Sequence, residues 1–120
     1  MAFADCELAW TDYKSSARIF EYKWNGMLQE DMKNKEYRIH PTQKPVRLYE
    51  WILNNYAKPD DIILDTHTGS ASSLIACHNT HHKFVGFEID EEFYRQAKER
   101  LEIEQAQMTI FDLGYNPYQE

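Results

Sequence analysis

The apolar positions of the chain follow two kinds of period, and these divide it into elements. Val46, Tyr49, Ile52, Leu53 and Tyr56 recur at helical spacing, which predicts an amphipathic helix over 45–56. Pro45 suits the first position of that helix, because the N–H it lacks would have no intrahelical partner there. The turn Lys58-Pro59-Asp60-Asp61 ends it. The short apolar run Ile62-Ile63-Leu64 then reads as a buried strand, and Lys83 to Ile89 as a second. Between them, Ser70 to Asn79 reads as a helix with Leu74, Ile75 and Cys77 facing inward. Asp90 stands where it would cap a third, strongly charged helix over 91–105. Its apolar stripe is Phe93/Tyr94, Ala97, Leu101 and Ile103. Residues 108–111 read as a short closing strand. The order helix, strand, helix, strand, helix, with crossovers long enough for βαβ units, predicts an α/β fold.

The first third of the chain has no helical period. From Arg18 to Trp24 the residues alternate, which places Phe20, Tyr22 and Trp24 on one face of a strand. Such a face packs on a core; beside basic residues it is also the composition of a nucleic-acid surface, since bases stack on aromatic rings. Residues 26–40 are polar and almost free of apolar periodicity, and read as a flexible loop with room for a short helix. The chain is thus expected to form one domain over 1–120. Residues 1–39 are expected to make an aromatic and loop segment, a candidate nucleic-acid face, and 40–112 the ligand-binding βαβ core.

Composition narrows the class. The 120 residues, 42% hydrophobic and 28% charged, are ordinary for a globular domain. No apolar run approaches the ~20 residues of a membrane span. No basic stretch followed by an apolar one opens the chain, so no signal peptide is expected. Two distant cysteines, Cys6 and Cys77, suit reduced thiols in the cytoplasm. A net charge of −7 argues against uniform DNA binding, but the charge is uneven. Residues 11–50 carry eight Lys/Arg against six Asp/Glu, and residues 51–120 five against twelve. Any contact with a polyanion is therefore expected in the first half, with Arg18, Lys23, Lys33 and Lys35 as candidate phosphate ligands. Cys77-His78-x-x-His81-His82 matches no common zinc spacing and reads as solvated histidines, so no metal site is expected.

The chemistry concentrates at Asp65-Thr66-His67-Thr68-Gly69-Ser70, where the first strand turns into the second helix. In open α/β sheets a nucleotide-like ligand lies beyond the carboxyl ends of the strands. Asp65 closes the first strand and Glu88 the second. A carboxylate in the position of Glu88 suits both ribose hydroxyls of an adenosine, and Asp65 suits the ammonium of an amino-acid moiety. Gly69 lets backbone approach a ligand. The turn is neither G-x-G-x-x-G nor a Walker loop, which argues against a dinucleotide or a triphosphate. Adenosine with a cationic amino-acid tail and no phosphate describes S-adenosylmethionine.

Here the sequence resembles a known family. His40-Pro41-Thr42-Gln43-Lys44-Pro45 resembles motif X of the DNA amino-methyltransferases that modify adenine N6 or cytosine N4. Asp65-Thr66-His67-Thr68-Gly69-Ser70-Ala71-Ser72-Ser73 resembles their motif I, and Phe87-Glu88-Ile89-Asp90 their motif II. The order X, I, II is that of the beta-type arrangement, and Thr66-His67 in motif I is similar to phage and prophage members. The resemblance implies a partial Rossmann-like methyltransferase fold, a mostly parallel sheet with flanking helices. It implies S-adenosylmethionine as cofactor and double-stranded DNA as partner. By matching position, Asp65, Thr66, His67, Gly69 and Ser70 would line the methionine and sugar. Glu88 would take the ribose hydroxyls, Ile89 would flank the adenine, and Thr42, Lys44 and Pro45 would close the methionine side. Ala71 departs from the family's usual second glycine, and its methyl group would crowd the cofactor.

The family's catalytic motif, a polar residue followed by Pro-Pro and an aromatic, accepts hydrogen bonds from the target amino group while the ring stacks on a flipped base. Prolines stand only at 41, 45, 59 and 117, so no Pro-Pro pair exists, and Asn116-Pro117-Tyr118 is a poor substitute. No catalytic residue is therefore assigned. The expectation is the cofactor-binding part of an adenine-N6 methyltransferase, joined by an N-terminal catalytic part or by a second copy of itself. The alternative is a degenerate, non-catalytic module. A methyltransferase of RNA or a small molecule is a weaker third reading, which motif X opposes. Gln107-Met108-Thr109-Ile110-Phe111 also resembles the peptide by which bacterial replication proteins dock on the sliding clamp.

Overall fold

In the computed structural model, residues 6–25, 28–33 and 35–112 are described. Seven elements follow in order: β1 (Trp24–Asn25), β2 (Leu28–Gln29), α1 (Val46–Tyr56), β3 (Ile62–Asp65), α2 (Ser72–Asn79), β4 (Lys83–Gly86) and α3 (Glu91–Asp112). β1 and β2 form a small antiparallel pair, Trp24 opposite Gln29. β3 and β4 run parallel, with Ile62 opposite Lys83 and Asp65 opposite Gly86. The unit β3–α2–β4 is the predicted βαβ motif, and α3 follows it.

The helix predicted over 45–56 begins one residue later. Pro45 is its N-cap, and no neighbouring side chain caps it. The Glu36 carboxylate does so instead, accepting the Val46 amide at 3.1 Å from ten residues back. The stop at Lys58–Asp61 is built as expected: Asp61 Oδ2 accepts the Lys58 amide at 2.8 Å, and the Lys58 carbonyl accepts the Asp61 amide at 3.1 Å.

The core lies on one side of the β3–β4 pair. Val46 and Leu53 of α1 pack on Ile75, Ala76 and Cys77 of α2, with Ile63, Phe84 and Leu101 against them. A second group joins Ala71, Leu74 and Ala97. Every residue of α2 from Ser72 to Cys77 is buried. The small Ser and Ala side chains let α1, α3 and the sheet approach it from several directions.

Six expectations are corrected. The two parallel strands are not buried on both faces. Ile63 and Phe84 face the core, whereas Ile62, Leu64, Val85 and Phe87 are 67%, 61%, 47% and 58% exposed. A period of two sends alternate residues to opposite faces, and only one face is covered among the described residues. The alternating segment from Arg18 to Trp24 is a strand only at Trp24, because among the described residues no strand pairs with the rest. Its alternation survives as half-buried Phe20, Tyr22 and Trp24 with Ile19, Glu21 and Lys23 exposed, and the Phe20 ring rests 5.5 Å from that of Trp51. The loop over 26–40 contains β2, and no helix occurs among its described residues. The second helix starts at Ser72 rather than Ser70, because Ala71 takes a left-handed conformation that breaks the helical path. Residues 108–111 are not a strand; α3 runs on to Asp112, with no Gly or Pro to stop it before Gly114. Its stripe is narrower than expected, since Tyr94 and Ile103 are exposed.

His82 differs too. It is buried, not solvated. Its Nε2 donates to the Lys58 carbonyl at 3.1 Å, which fixes the tautomer, and Nδ1 faces the Thr80 hydroxyl at 2.7 Å. It ties the end of α2 to the turn after α1. No group of metal-ligating residues occurs among the described residues.

Candidate functional site

The site is built where β3 ends. The ladder continues past the formal strand ends: the Asp65 carbonyl accepts the Phe87 amide at 2.9 Å, and the Phe87 carbonyl accepts the Thr68 amide at 2.8 Å. These two bonds fold the loop after β3 back over the end of β4. Asp65 holds the loop from within. Its Oδ1 accepts the His67 amide at 2.9 Å, and its Oδ2 accepts the Ser73 hydroxyl. Ala71 N bonds the Thr68 carbonyl at 3.0 Å and closes the turn.

Gly69 has φ +59 and Ala71 φ +70. Glycine takes this left-handed region freely, whereas for alanine it costs about 1–2 kcal/mol. The departure at position 71 therefore lies at a backbone conformation that favours glycine.

Glu88 reaches back to this turn. Its Oε1 accepts the Gly69 amide at 2.9 Å, and its Oε2 accepts the Asp90 amide at 3.0 Å. An ionised carboxylate has about four acceptor positions, so each oxygen keeps capacity for a further donor. Asp90 caps α3 as expected, its Oδ1 accepting the Phe93 amide at 2.9 Å.

The third segment, His40–Pro45, arrives on the other side of Gly69. The His40 ring lies 3.8 Å from where a Cβ on Gly69 would stand and 4.2 Å, centroid to centroid, from the Phe93 ring. Both Thr42 donors converge on His40 Nδ1, the amide at 3.2 Å and the hydroxyl at 3.0 Å. Gln43 is buried; its Oε1 accepts the Ile39 amide at 2.8 Å, and its Nε2 donates to the Tyr37 carbonyl at 3.2 Å. This glutamine shapes the loop.

The predicted residues thus separate into groups. Gly69 and Glu88 are joined directly, Asp65 holds the same loop through His67 and Ser73, and His40 lies against Gly69 with Thr42 bonded to it. Thr66 and His67 are exposed at the rim, bonded to each other at 2.8 Å. Ser70 is buried, its hydroxyl 3.1 Å from that of Ser72. Pro45 is buried at the start of α1, and Lys44 pairs with Glu7 at 2.8 Å. Ile89 is fully exposed. Of the candidate phosphate ligands, the Arg18 guanidinium lies over the Trp51 ring at 5.4 Å, Lys23 and Lys33 are exposed, and Lys35 is half-buried.

Residues 62–90 contain one Lys or Arg, Lys83, and it opens β4 at the end opposite Glu88. The loop itself therefore offers carboxylates and backbone, and the cations beside it come from α3: Arg100 on the Ser70 carbonyl and Lys98 in the cavity lined by Thr68 and Glu88. The loop's carboxylates suit a ligand with hydroxyls and positive charge.

Three residues of the site carry no motif signal. Gly86 lets β4 pass close to the loop, because a Cβ there would lie 2.5 Å from Thr68 Oγ1 and 2.6 Å from Leu74 Cδ1. Glu36 and Arg100 form an ion pair at 2.8 Å, each side chain 16% exposed. Burial pushes the Glu36 carboxyl up, against the Val46 amide and Arg100, and pulls the Arg100 guanidinium down, against Glu36. Arg100 was legible in principle, for it sits three residues after Ala97 and beside Leu101 on the buried stripe, where a charge needs a partner.

The model of the DNA methylase family matches residues 8–99. The chain belongs to the DNA methylase family. Over 71 residues, 59% of its length, it is 38% identical to the type II methyltransferase M.HpaI of Haemophilus parainfluenzae, covering 23% of that protein. It is 37% identical over 68 residues, 57% of the chain, to the DNA adenine methyltransferase YhdJ of Escherichia coli, again covering 23%. Among solved structures, the M1.HpyAVI–SAM complex matches with a TM-score of 0.51 and 35% identity, over 57% of this chain and 40% of that one. This DNA methylase chain thus spans about a quarter of the length of these curated relatives. No described helix is long and apolar enough to cross a membrane.

Proposed function

We propose that this chain is the S-adenosylmethionine-binding part of a DNA methyltransferase acting on adenine N6 in the cytoplasm. The observation that carries this is the convergence on Gly69 of the Glu88 carboxylate from one side and the His40 ring from the other. The M1.HpyAVI structure, whose complex contains SAM, supports the cofactor, and the adenine specificity of YhdJ supports the base. When bound, S-adenosylmethionine supplies a methyl group activated on sulfonium sulfur. The chain's residues bind and orient. Glu88 uses its spare acceptor positions for the ribose hydroxyls. Asp65 holds the loop and contributes negative charge near the cationic tail, and Thr42 and His40 wall the opposite side.

The exposed face of Ile62, Leu64, Val85 and Phe87 favours a further reading. Burying one such side chain is worth about 1.5–3 kcal/mol relative to full exposure, so an uncovered row of four is costly for a small domain. Its occupant is the remainder of the methylase domain, which also carries the catalytic side chain, since the match extends over 40% of the M1.HpyAVI chain. A second copy of the chain is the competing occupant. The absence of a Pro-Pro pair equally suits a module that binds without transferring.

Calorimetric titration with S-adenosylmethionine, beside a labelled-methyl assay on unmethylated duplex DNA, tests the proposal. Binding without transfer is the expected result. Absence of binding at millimolar ligand sinks the cofactor assignment, and transfer by the chain alone overturns its incompleteness. Sedimentation of the Leu64→Asp, Phe87→Asp double variant decides the occupant: dimers that dissociate on substitution mean a second copy.

A further inference from the structure

Three separate segments meet at one guanidinium. Arg100 on α3 donates through Nη1 to the Ser70 carbonyl at 3.0 Å and to the Ser72 hydroxyl at 2.9 Å. Through Nη2 it donates to Glu36 Oε1 at 2.8 Å. Glu36 in turn accepts the Val46 amide at the start of α1. The backbone of Glu36 is itself gripped on both sides by one buried carboxamide, with Gln29 Oε1 accepting its amide at 2.9 Å and Gln29 Nε2 donating to its carbonyl at 2.8 Å.

The bond to the Ser70 carbonyl is the one that matters for the site. Ser70 lies between the two left-handed residues of the turn, Gly69 and Ala71. Its carbonyl precedes the first turn of α2, and no backbone bond to it occurs among the turn and cap hydrogen bonds of the described residues. This carbonyl belongs to the peptide group between Ser70 and Ala71, so its orientation fixes the link between the two left-handed residues. A planar guanidinium with several fixed donors holds such a carbonyl more firmly than an ammonium does. Its buried charge has to be matched, and Glu36 matches it. The same carboxylate starts the helix that follows His40–Pro45. One ion pair therefore sets two of the three segments that converge on Gly69.

We propose that Arg100 is a positioning residue for the cofactor turn, held in place by Glu36, so that the loop around Glu36 and the ligand-facing turn are ordered together. This rests on reading the turn as the S-adenosylmethionine site, and it adds to that reading residues that touch no ligand. A purely structural ion pair would stabilise the domain and leave the turn's local order unchanged. A positioning pair loosens the turn beyond its effect on the whole fold.

The test compares Arg100→Gln, Arg100→Lys and Glu36→Gln with Leu53→Ala, a core variant on α1 whose side chain faces the core rather than the turn. Two readouts are taken on the full chain: the Kd for S-adenosylmethionine by calorimetry, and amide hydrogen exchange of residues 67–73 against residues 75–77. Arg100→Gln is expected to weaken binding on the order of tenfold, the scale on which supporting partners act on a liganded site. It is also expected to raise exchange at 67–73 more than at 75–77. Arg100→Lys falls between wild type and Arg100→Gln, and Glu36→Gln follows Arg100→Gln. Leu53→Ala lowers the melting temperature with the wild-type Kd. Equal exchange changes in both stretches, or a Leu53→Ala variant that loses binding in proportion to stability, overturns the proposal. A wild-type chain that binds no S-adenosylmethionine overturns the cofactor reading instead, and the exchange comparison, which needs no ligand, still decides whether Arg100 holds the turn.

Discussion

Glu88 and Gly69, nineteen residues apart, are joined by a 2.9 Å hydrogen bond in which the carboxylate accepts the glycine amide. The bond runs from the end of one parallel strand to the loop after the other. It makes Glu88 part of the loop's architecture as well as a candidate ligand group. A glutamine there keeps one acceptor and presents an amide NH₂ to a neighbouring N–H. Removing a charged hydrogen bond of this kind costs about 1.5–3 kcal/mol, so Glu88→Gln should raise the Kd for S-adenosylmethionine more than about tenfold. Calorimetry checks this, and unchanged affinity would mean that the ribose assignment is wrong.

Ala71 holds φ +70 while buried. Replacing it by glycine relieves about 1–2 kcal/mol of backbone strain and loses about 0.8 kcal/mol of methyl burial. Ala71→Gly should therefore be neutral or slightly stabilising in urea denaturation. Ala76→Gly, equally buried but inside α2, should be clearly destabilising because strain relief is absent and helix propensity is lost. Equal losses at both positions would show that the left-handed conformation is not the constraint.

A Cβ at Gly86 would press on Thr68 Oγ1 and on Leu74, which is packed against Ala71 and Ala97. Overpacking of this kind costs about 1–3 kcal/mol. Gly86→Ala should lower the urea midpoint and, because Thr68 belongs to the turn, raise the Kd for S-adenosylmethionine as well. Loss of stability with unaltered Kd would separate the strand from the site.

Cys6 is exposed and Cys77 buried, and both thiols are free. Burial, with a smaller contribution from Asp65, pushes the Cys77 thiol up from 9.0 to about 11. One equivalent of a thiol reagent should react with the native chain at pH 8, and two after denaturation. The folded value lies above the unfolded one, so the fold favours the protonated thiol. That contribution is fully present below pH 9 and is lost as pH rises to 11. At about 1.36 kcal/mol per pKa unit it amounts to at most about 2–3 kcal/mol. Cys77→Ala should flatten the loss of stability over that range in pH-dependent melting.

The sequence by itself determined the order α1, β3, α2, β4, α3 of the βαβ half and the three motifs. Helical spacing located α1 within one residue, apolar runs located β3 and β4, and Asp90 was legible as the cap of α3 because capping is a local geometry. The turn after Asp65 and the carboxylate at Glu88 were legible for the same reason, since each lies just past a run of apolar strand residues. What the tertiary structure decided is everything that depends on two distant segments meeting. Burial on one face only of the strands depends on what lies beside them, which periodicity does not encode. The left-handed Ala71 follows from closing a loop between a strand and a helix already held by β4. The cap of α1 comes from Glu36, and the hold on Ser70 from Arg100, at separations no local pattern registers. A buried charge is bearable only where its partner arrives through space, so the Glu36–Arg100 pair became visible only when the chain was folded.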